Sequence, residues 1–244
     1  MRALSATELV EAWEKGLRQS SPQRALTLLA LACTDTPLEE LARLSIGQRD
    51  AQLLKLHERL FGPTLTCVAT CPECGQQVEA QFNASDFQAT APAEPMEPFS
   101  VIIANYEVVF RLPNSLDLLR VTADADAATN RRRLLEQCIQ TVDRKGQAVS
   151  VEQLPRNVLQ TVIERMTDAE PQTDSHLTLN CPRCAHHWRT QLDISSFLWS
   201  EIQARVRRLL HEVHILASAY SWREADILSL SASRRQAYLR MVIV

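Results

Sequence analysis

Apolar residues recur at helical spacing in the N-terminal part of the chain. Leu9, Trp13 and Leu17 are each one helical turn apart, and Ser5 with Glu8 forms the capping-box pattern that begins such a helix. Further helix starts are predicted at three sites: Ser21-Pro22, Thr36-Pro37 and Ser45. Because Gly62-Pro63 ends the last of these helices, residues 1–64 are predicted to be a helical segment.

Two later segments change to the two-residue period of a β-strand. In the first, apolar positions alternate with polar ones on both sides of the tetrapeptide CPEC: Leu65, Cys67, Ala69, Val78, Ala80 and Phe82. In the second, a short run at His176–Asn180 precedes the tetrapeptide CPRC, and alternation resumes from Trp188 to Leu192. We therefore predict two strand–turn–strand units, in residues 65–90 and 174–197.

The two units share more than their cysteines. Asn83, Ser85 and Phe87 follow Cys71 at the same intervals as Asp193, Ser195 and Phe197 follow Cys181. This internal likeness predicts a duplicated unit whose two copies are related by a pseudo-twofold axis.

The residues between the two units are predicted to form an insertion with its own hairpin and helices. Residues 89–98 contain three prolines and are predicted to be a linker. A hairpin is predicted from Phe99 to Leu112 around Asn105-Tyr106. Helices are then predicted near 115–121, 125–142 and 154–168, with a turn at 143–146. Together these elements make up the predicted inserted segment, 99–170.

The C-terminal segment, 198–244, is predicted to be helical. Its apolar residues form a heptad pattern: Trp199, Ile202, Val206, Leu209, Val213, Leu216 and Tyr220. Such a seam is either an ordinary core stripe or a surface that docks a partner helix. Ser221 with Glu224 predicts a short helix to Leu230, and Ser231 predicts the start of the last helix.

Charge and composition exclude several classes of protein. The net charge is −3, which is unlike the basic surface of a nucleic-acid binder, and no apolar run is long enough to cross a membrane. The N-terminal residues lack the features of a signal peptide, so we expect a cytoplasmic protein. In that reducing compartment, paired cysteines are metal ligands more often than disulfides.

The two CPxC turns predict a structural zinc site. Cys71, Cys74, Cys181 and Cys184 would supply the four thiolates of a closed tetrahedral site for one Zn²⁺ per chain. A redox dithiol is the competing interpretation, but neither pair has the βαβ context of thioredoxin-like motifs. The remaining cysteines, Cys33, Cys67 and Cys138, are predicted to be small core side chains.

Histidines offer weaker metal signals. His186 and His187 follow the second CPxC turn and leave a Cys₃His site open as an alternative. His211 and His214 lie in the sequence HEVH, one residue short of the HExxH pattern of zinc proteases. No phosphate-binding loop, GxSxG elbow or HExxH motif is present, so no catalytic residues are predicted.

The arginines of the C-terminal segment are most simply a solvated helix face, with phosphate binding as the alternative. A partner-binding surface is nevertheless predicted in this segment: Trp199, Val206, Val213, Tyr220, Trp222, Arg234 and Arg235.

Several stretches resemble the baseplate-hub assembly proteins of T-even-type phages and of phage-tail-like contractile injection systems. The stretches are LARLSIGQRDAQLLKLHERLFGP before CPECGQQVEAQF, DISSFLW after the second CPxC turn, RLPNSLDLL in the insertion, and the ending HEVHILASAYSWREADILSLSASRRQAYLRMV. The resemblance covers the cysteine regions and the C-terminus. It implies a non-enzymatic role in building or completing a baseplate hub, and it carries over no catalytic residue.

These observations predict a mainly helical α+β protein with a discontinuous Cys₄ zinc ribbon, a long α/β insertion, and helical N- and C-terminal segments. The predicted function is a structural or assembly component of a contractile tail or injection-system baseplate. Its predicted partners are other tail, baseplate or hub proteins, without nucleic acid, membrane or small-molecule substrate. A zinc-ribbon nucleic-acid or regulatory adaptor is the first alternative, and a metal-dependent hydrolase using His211 and His214 is the second.

Overall fold

The computed structural model describes residues 1–87, 98–121, 126–170 and 176–242. Its helices are α1 Ala6–Gly16, α2 Ser21–Ala32, α3 Leu38–Arg43, α4 Ile46–Phe61, α5 Ser115–Leu119, α6 Ala127–Cys138, α7 Arg156–Ala169, α8 Ile194–Tyr220, α9 Glu224–Ser229 and α10 Ala232–Val242. Its strands are β1 Thr64–Thr70, β2 Gln77–Asn83, β3 Phe99–Ile103, β4 Tyr106–Phe110, β5 Ile139–Arg144, β6 Gln147–Ala148, β7 His176–Asn180 and β8 His187–Gln191. About 57% of the structure is helix and 20% is strand, so the predicted mainly helical α+β class is confirmed.

The largest core is helical and joins the two ends of the chain. Helices α1, α2 and α4 pack around the N-terminal half of α8, and fully buried leucines such as Leu29 and Leu56 fill the space between them. Gly16 at the end of α1 permits a close approach, because a Cβ there would lie 2.1 Å from the Trp199 ring. The guanidinium of Arg24 covers that ring, 4.7 Å from its centre, so α1 and α2 both hold Trp199 in place.

The predicted helix starts are mostly right to within one residue. Ser5 and Ser45 each form a capping box, as predicted. The second helix is capped by Ser20 instead of Ser21, because the side chain of Gln23 accepts the Ser20 N–H. The predicted capping box at Ser221 is wrong: Ser221 adopts a left-handed conformation with φ of 58° and ends α8.

The insertion forms a four-stranded antiparallel sheet in the order β3–β4–β5–β6. The predicted hairpin is confirmed, but its two-residue loop is Ala104-Asn105, both with positive φ, and Tyr106 is the first residue of β4. The helix predicted over 125–142 is wrong beyond Cys138, where the chain becomes β5. Val142 of β5 pairs with Val108 of β4, and that pairing overrides the helical pattern before it.

The insertion is joined to the helical layer at the N-terminus of α4. The carboxylate of Glu170, just after α7, accepts hydrogen bonds from the Ser45 hydroxyl and from the Gly47 N–H at 3.1 Å. The Ile46 N–H donates to the Pro113 carbonyl at 3.0 Å. Glu170 is buried, and burial raises the pKa of its carboxyl group. These contacts join Pro113 and the end of the insertion to the N-terminus of α4.

A buried ion pair organises the RLPNSLDLL stretch. Arg111 donates two hydrogen bonds to the Asp117 carboxylate, at 2.6 and 2.8 Å, and Asp117 is 1% exposed. Burial disfavours the charged form of Asp117, but the bonds from Arg111 outweigh it and lower the pKa of the carboxyl group. The Asn114 side chain caps α5 beside this pair by accepting the N–H groups of Leu116 and Asp117.

The C-terminal half of α8 has a small core of its own with α9 and α10. Leu216, Ile227 and Leu239 are buried at its centre. The rings of Tyr220, Trp222 and Tyr238 pack beside them, with centroids 4.8 to 5.9 Å apart.

Most of the heptad seam on α8 is core. Leu209 and Leu216 are fully buried, and Trp199 and Val206, two residues of the predicted partner-binding surface, are 5% and 0% exposed within the helical core. None of the helices described is both long enough and apolar enough to cross a bilayer. The predicted linker, 89–98, lies outside the described residues apart from its last position.

Candidate metal centre

Each cysteine pair lies at the tip of an antiparallel hairpin. Strands β1 and β2 form the first cysteine hairpin, and their last pair is Thr70 with Gln77. Between them the Cys71 N–H donates to the Gln76 carbonyl at 2.8 Å, and the Gly75 N–H donates to the Cys71 carbonyl at 3.0 Å. Gly75 has a φ of 70°, which is the left-handed conformation that the tight turn requires.

The second cysteine hairpin, formed by β7 and β8, repeats this turn. The Cys181 N–H donates to the His186 carbonyl at 2.9 Å, and the Ala185 N–H donates to the Cys181 carbonyl at 2.9 Å. Ala185, with a φ of 57°, occupies the place that Gly75 occupies in the first hairpin. The likeness seen in the sequence therefore extends to the hydrogen bonds and backbone angles of the two turns.

The two hairpins bring all four cysteines together from distant parts of the chain. Their sulfur atoms lie within 4.8 Å of one another. Cys71 and Cys184 are 3.7 Å apart, and Cys74 and Cys181 are 3.5 Å apart. Four thiolates about 2.3 Å from a tetrahedral zinc ion would be separated by about 3.8 Å. The donor set and its spacing therefore fit a metal ion at the centre of the four sulfurs.

The surroundings of the four sulfurs are partly apolar and unequal. Cys71 and Cys181 are each 1% exposed, while Cys74 is half-buried and Cys184 is exposed. Val78 and Trp188, one from each hairpin, pack against the cluster. Burial disfavours the Cys181 thiolate, but hydrogen bonds from backbone amides and neighbouring thiols outweigh it and lower its pKa to about 6. The lowered pKa favours the thiolate form of Cys181, which is the form that binds a metal ion.

The histidines considered from the sequence are not grouped with the cysteines. The only cluster of three or more potential metal ligands among the described residues consists of the four cysteines. The His186 ring lies parallel to the Trp188 ring, with centroids 6.1 Å apart, and His187 is exposed. His211 and His214 are both exposed on α8.

The other cysteines lie apart from the site. Cys138 is buried, whereas Cys33 and Cys67 are half-buried and Cys33 packs against the helical core. Burial raises the pKa of the Cys67 thiol, so this cysteine is not an activated nucleophile.

The remaining residues of the predicted partner surface are divided between the surface and the interior. Arg235 is 3% exposed, donates to the Glu212 carboxylate at 2.9 Å and to the Leu230 carbonyl, and therefore joins α10 to α8. Arg235 is thus enclosed by the chain itself. Arg234 is exposed, and the three others are half-buried: Val213, Tyr220 and Trp222.

Comparison with known proteins adds one finding. No curated protein and no solved structure matches the chain. A family profile described as T4 bacteriophage base plate protein matches residues 7–199, which is well over half of the 244 residues. This range includes both cysteine hairpins and the helices from α2 to α7, and it stops before most of α8 and before α9 and α10. The chain therefore belongs to the T4 bacteriophage base plate protein family.

Proposed function

We propose that the chain is a non-enzymatic structural or assembly component of the baseplate of a contractile tail or injection system. The observation that carries this proposal is the family match over residues 7–199. Its partners would be other baseplate, hub or tail proteins. The chain would be made in the bacterial cytoplasm and act there during assembly, whether or not it stays in the finished particle.

We further propose that Cys71, Cys74, Cys181 and Cys184 bind one structural zinc ion. Four cysteine sulfurs within 4.8 Å of one another support this, because four thiolates complete the coordination shell of zinc. Such a closed site has no open position for a substrate or a reactive water, so the metal would act on the fold and not in a reaction.

The position of the four cysteines in the chain suggests what zinc would stabilise. The first cysteine hairpin directly follows α4, and the second directly precedes α8. The two hairpins form separate two-stranded sheets, and among the described residues no ladder of backbone hydrogen bonds joins them. A shared metal ion would supply that link and would hold the two ends of the insertion beside the α4–α8 core. In this proposal the segments 1–64, 65–90 with 174–197, 99–170 and 198–244 act as the structural units of the chain.

Deleting the gene in the genome that encodes this chain tests the proposed role. We expect tails without completed baseplates in electron micrographs, and rescue by the wild-type chain. Mass spectrometry of purified particles then separates a resident component from an assembly factor that leaves. Normal, fully active particles in the deletion strain would contradict the proposal.

A matched rescue experiment tests whether the proposed zinc site is needed for assembly. The variant Cys71→Ser should rescue poorly, because it removes a metal ligand, whereas Cys67→Ser in the same hairpin should rescue like the wild type. Salt-dependent binding of the purified chain to duplex DNA at physiological ionic strength would instead favour the nucleic-acid adaptor.

A further inference from the structure

A groove with a basic rim and an apolar floor lies between α8 and α10. Its volume is about 660 Å³. The side chains that matter for its chemistry are Arg207, Arg208, His211 and Ile215 from α8, and Leu239 and Arg240 from α10. The groove is open to solvent and lies between two helices, where the apolar face of another helix can dock.

The positive charge of this groove is not balanced within the described part of the chain. Its one carboxylate, Glu212, already accepts a hydrogen bond from the buried Arg235 at 2.9 Å and another from Gln236 at 2.9 Å. Arg207, Arg208 and Arg240 are exposed, and none of them forms an ion pair with a carboxylate of the described residues. Three guanidinium groups therefore face the groove with their charge uncompensated.

The floor of the groove is apolar. Leu239 is 6% exposed and Ile215 is half-buried, so a ligand that reaches them gains contact with aliphatic side chains. Because Arg235 and Glu212 join α10 to α8 beside this floor, the two walls of the groove are fixed relative to each other before a partner binds. An aliphatic side chain with a carboxylate on each side of it matches this combination of floor and rim.

We propose that the α8–α10 groove binds an acidic amphipathic helix of a partner protein. Charge complementarity supports this occupant: three unpaired arginines attract carboxylates, and the apolar floor accepts the leucine or isoleucine side chains between them. The chain as a whole carries a net charge of −3, so the groove is a local basic site on an acidic molecule. Nucleic acid would gain little from an apolar floor.

This inference rests on the proposed function and adds the kind of partner to it. The family match ends at residue 199, and every residue of the groove lies beyond it. The groove is therefore not accounted for by the part of the chain that the family shares, and it would give this chain its own choice of partner.

The test measures binding of a fluorescent synthetic helix, with a leucine face and a glutamate face, to the full-length protein by fluorescence anisotropy. We expect saturable binding that weakens with added salt, and little binding of the same helix with lysine in place of glutamate. The double variant R207E/R208E should bind the acidic helix about tenfold more weakly or worse. R240E, on the α10 wall of the groove, should also weaken binding of the acidic helix.

The matched control is R223E, which makes the same charge change as R240E at an exposed arginine outside the groove. It should leave the affinity unchanged, and circular dichroism should confirm that all variants are folded. No binding of the acidic helix, equal binding of the lysine helix, no effect of either groove variant, or displacement of the helix by duplex DNA would each overturn the proposal. The binding assay and the gene deletion are independent experiments. A negative binding result would overturn this inference and leave the proposed baseplate role to be decided by the deletion strain.

Discussion

The two cysteine hairpins use the same turn but lead into different structures. After β2 the chain makes a single short 3₁₀ turn at Ala84–Phe87, whereas after β8 it enters the 27-residue helix α8. Ala84 and Ile194 are equivalent positions in the two copies, and both are buried in the helical core. The first copy thus contributes a methyl group where the second contributes a whole isoleucine side chain.

Two different requirements therefore act on the two hairpins: metal binding at the turns and packing beyond them. Binding one metal ion would require the same ligands and the same turn from both hairpins, and both hairpins have them. Packing makes no such demand, because each copy leads into a different part of the chain. We therefore expect changes at the cysteines to act alike in the two hairpins, and changes beyond the turns to act differently.

The largest effects are expected at the ligands themselves. Cys71→Ser and Cys181→Ser should each release zinc and lower the free energy of unfolding by about 3 kcal/mol or more, or about 6–12 °C in Tm. Zinc content by atomic emission and Tm by calorimetry are the measurements. The control is Cys67→Ser, outside the cluster, which should keep both values. Unequal losses of zinc or of stability in the two variants would contradict the expected equivalence of the two hairpins.

The next largest effect is expected at the segments that follow the two hairpins in the chain. Ile194→Ala leaves a cavity in the helical core and should cost about 3 kcal/mol, while Ala84→Gly should cost about 1 kcal/mol. Ile102 is 76% exposed on β3, so Ile102→Ala is a matched control and should stay within about 0.5 kcal/mol of the wild type. Chemical denaturation measures all three. Equal costs at positions 84 and 194 would show that packing does not distinguish the copies.

A smaller effect tests the shared turn. Gly75→Ala should destabilise the protein by about 1–2 kcal/mol, because a left-handed alanine is strained even though its Cβ would meet nothing within 4 Å. The reverse change, Ala185→Gly, relieves the same strain at φ of 57° and should stabilise the protein by about 0.5–1 kcal/mol. Both values come from thermal unfolding of the zinc-loaded protein. Opposite signs are the predicted outcome, and matching signs would contradict the equivalence of the turns.

The smallest effect on the free energy of unfolding is expected at the residues through which the chain leaves each hairpin. The Asp193 side chain caps α8 by accepting the Ser196 N–H at 3.1 Å, so Asp193→Ala should cost about 1 kcal/mol. Asn83 is the equivalent residue, and in the structure it is its backbone N–H, not its side chain, that donates to Asp86. Asn83→Ala should therefore change the unfolding free energy by less than about 0.5 kcal/mol. A loss at Asn83 equal to that at Asp193 would count against a capping role confined to the second copy.

Sequence reasoning succeeds where local chemistry decides the structure. The cysteine hairpins, the capping boxes at Ser5 and Ser45, and the hairpin beginning at Phe99 all rest on short-range patterns, and all are present. The same reasoning indicates the family, although the C-terminal ending quoted for that resemblance lies outside the matched range.

Local sequence patterns do not predict structure that depends on contacts between distant parts of the chain. The sequence predicts helix over β5 because no glycine or proline separates this strand from α6, and only its pairing with β4 shows that it is a strand. Arg235 has the sequence context of a surface residue because its partner, Glu212, lies on another helix. The buried contacts of Glu170 with Ser45 and Gly47 likewise join segments that no local pattern connects.

We propose that both hairpins bind one zinc ion through four sulfurs. The most direct measurement is zinc K-edge X-ray absorption on protein purified without chelators, combined with its zinc content. We predict one zinc ion per chain and a first shell of four sulfurs at about 2.3 Å. A chain that binds no zinc, or a first shell containing nitrogen or oxygen at about 2.0 Å, would contradict the account.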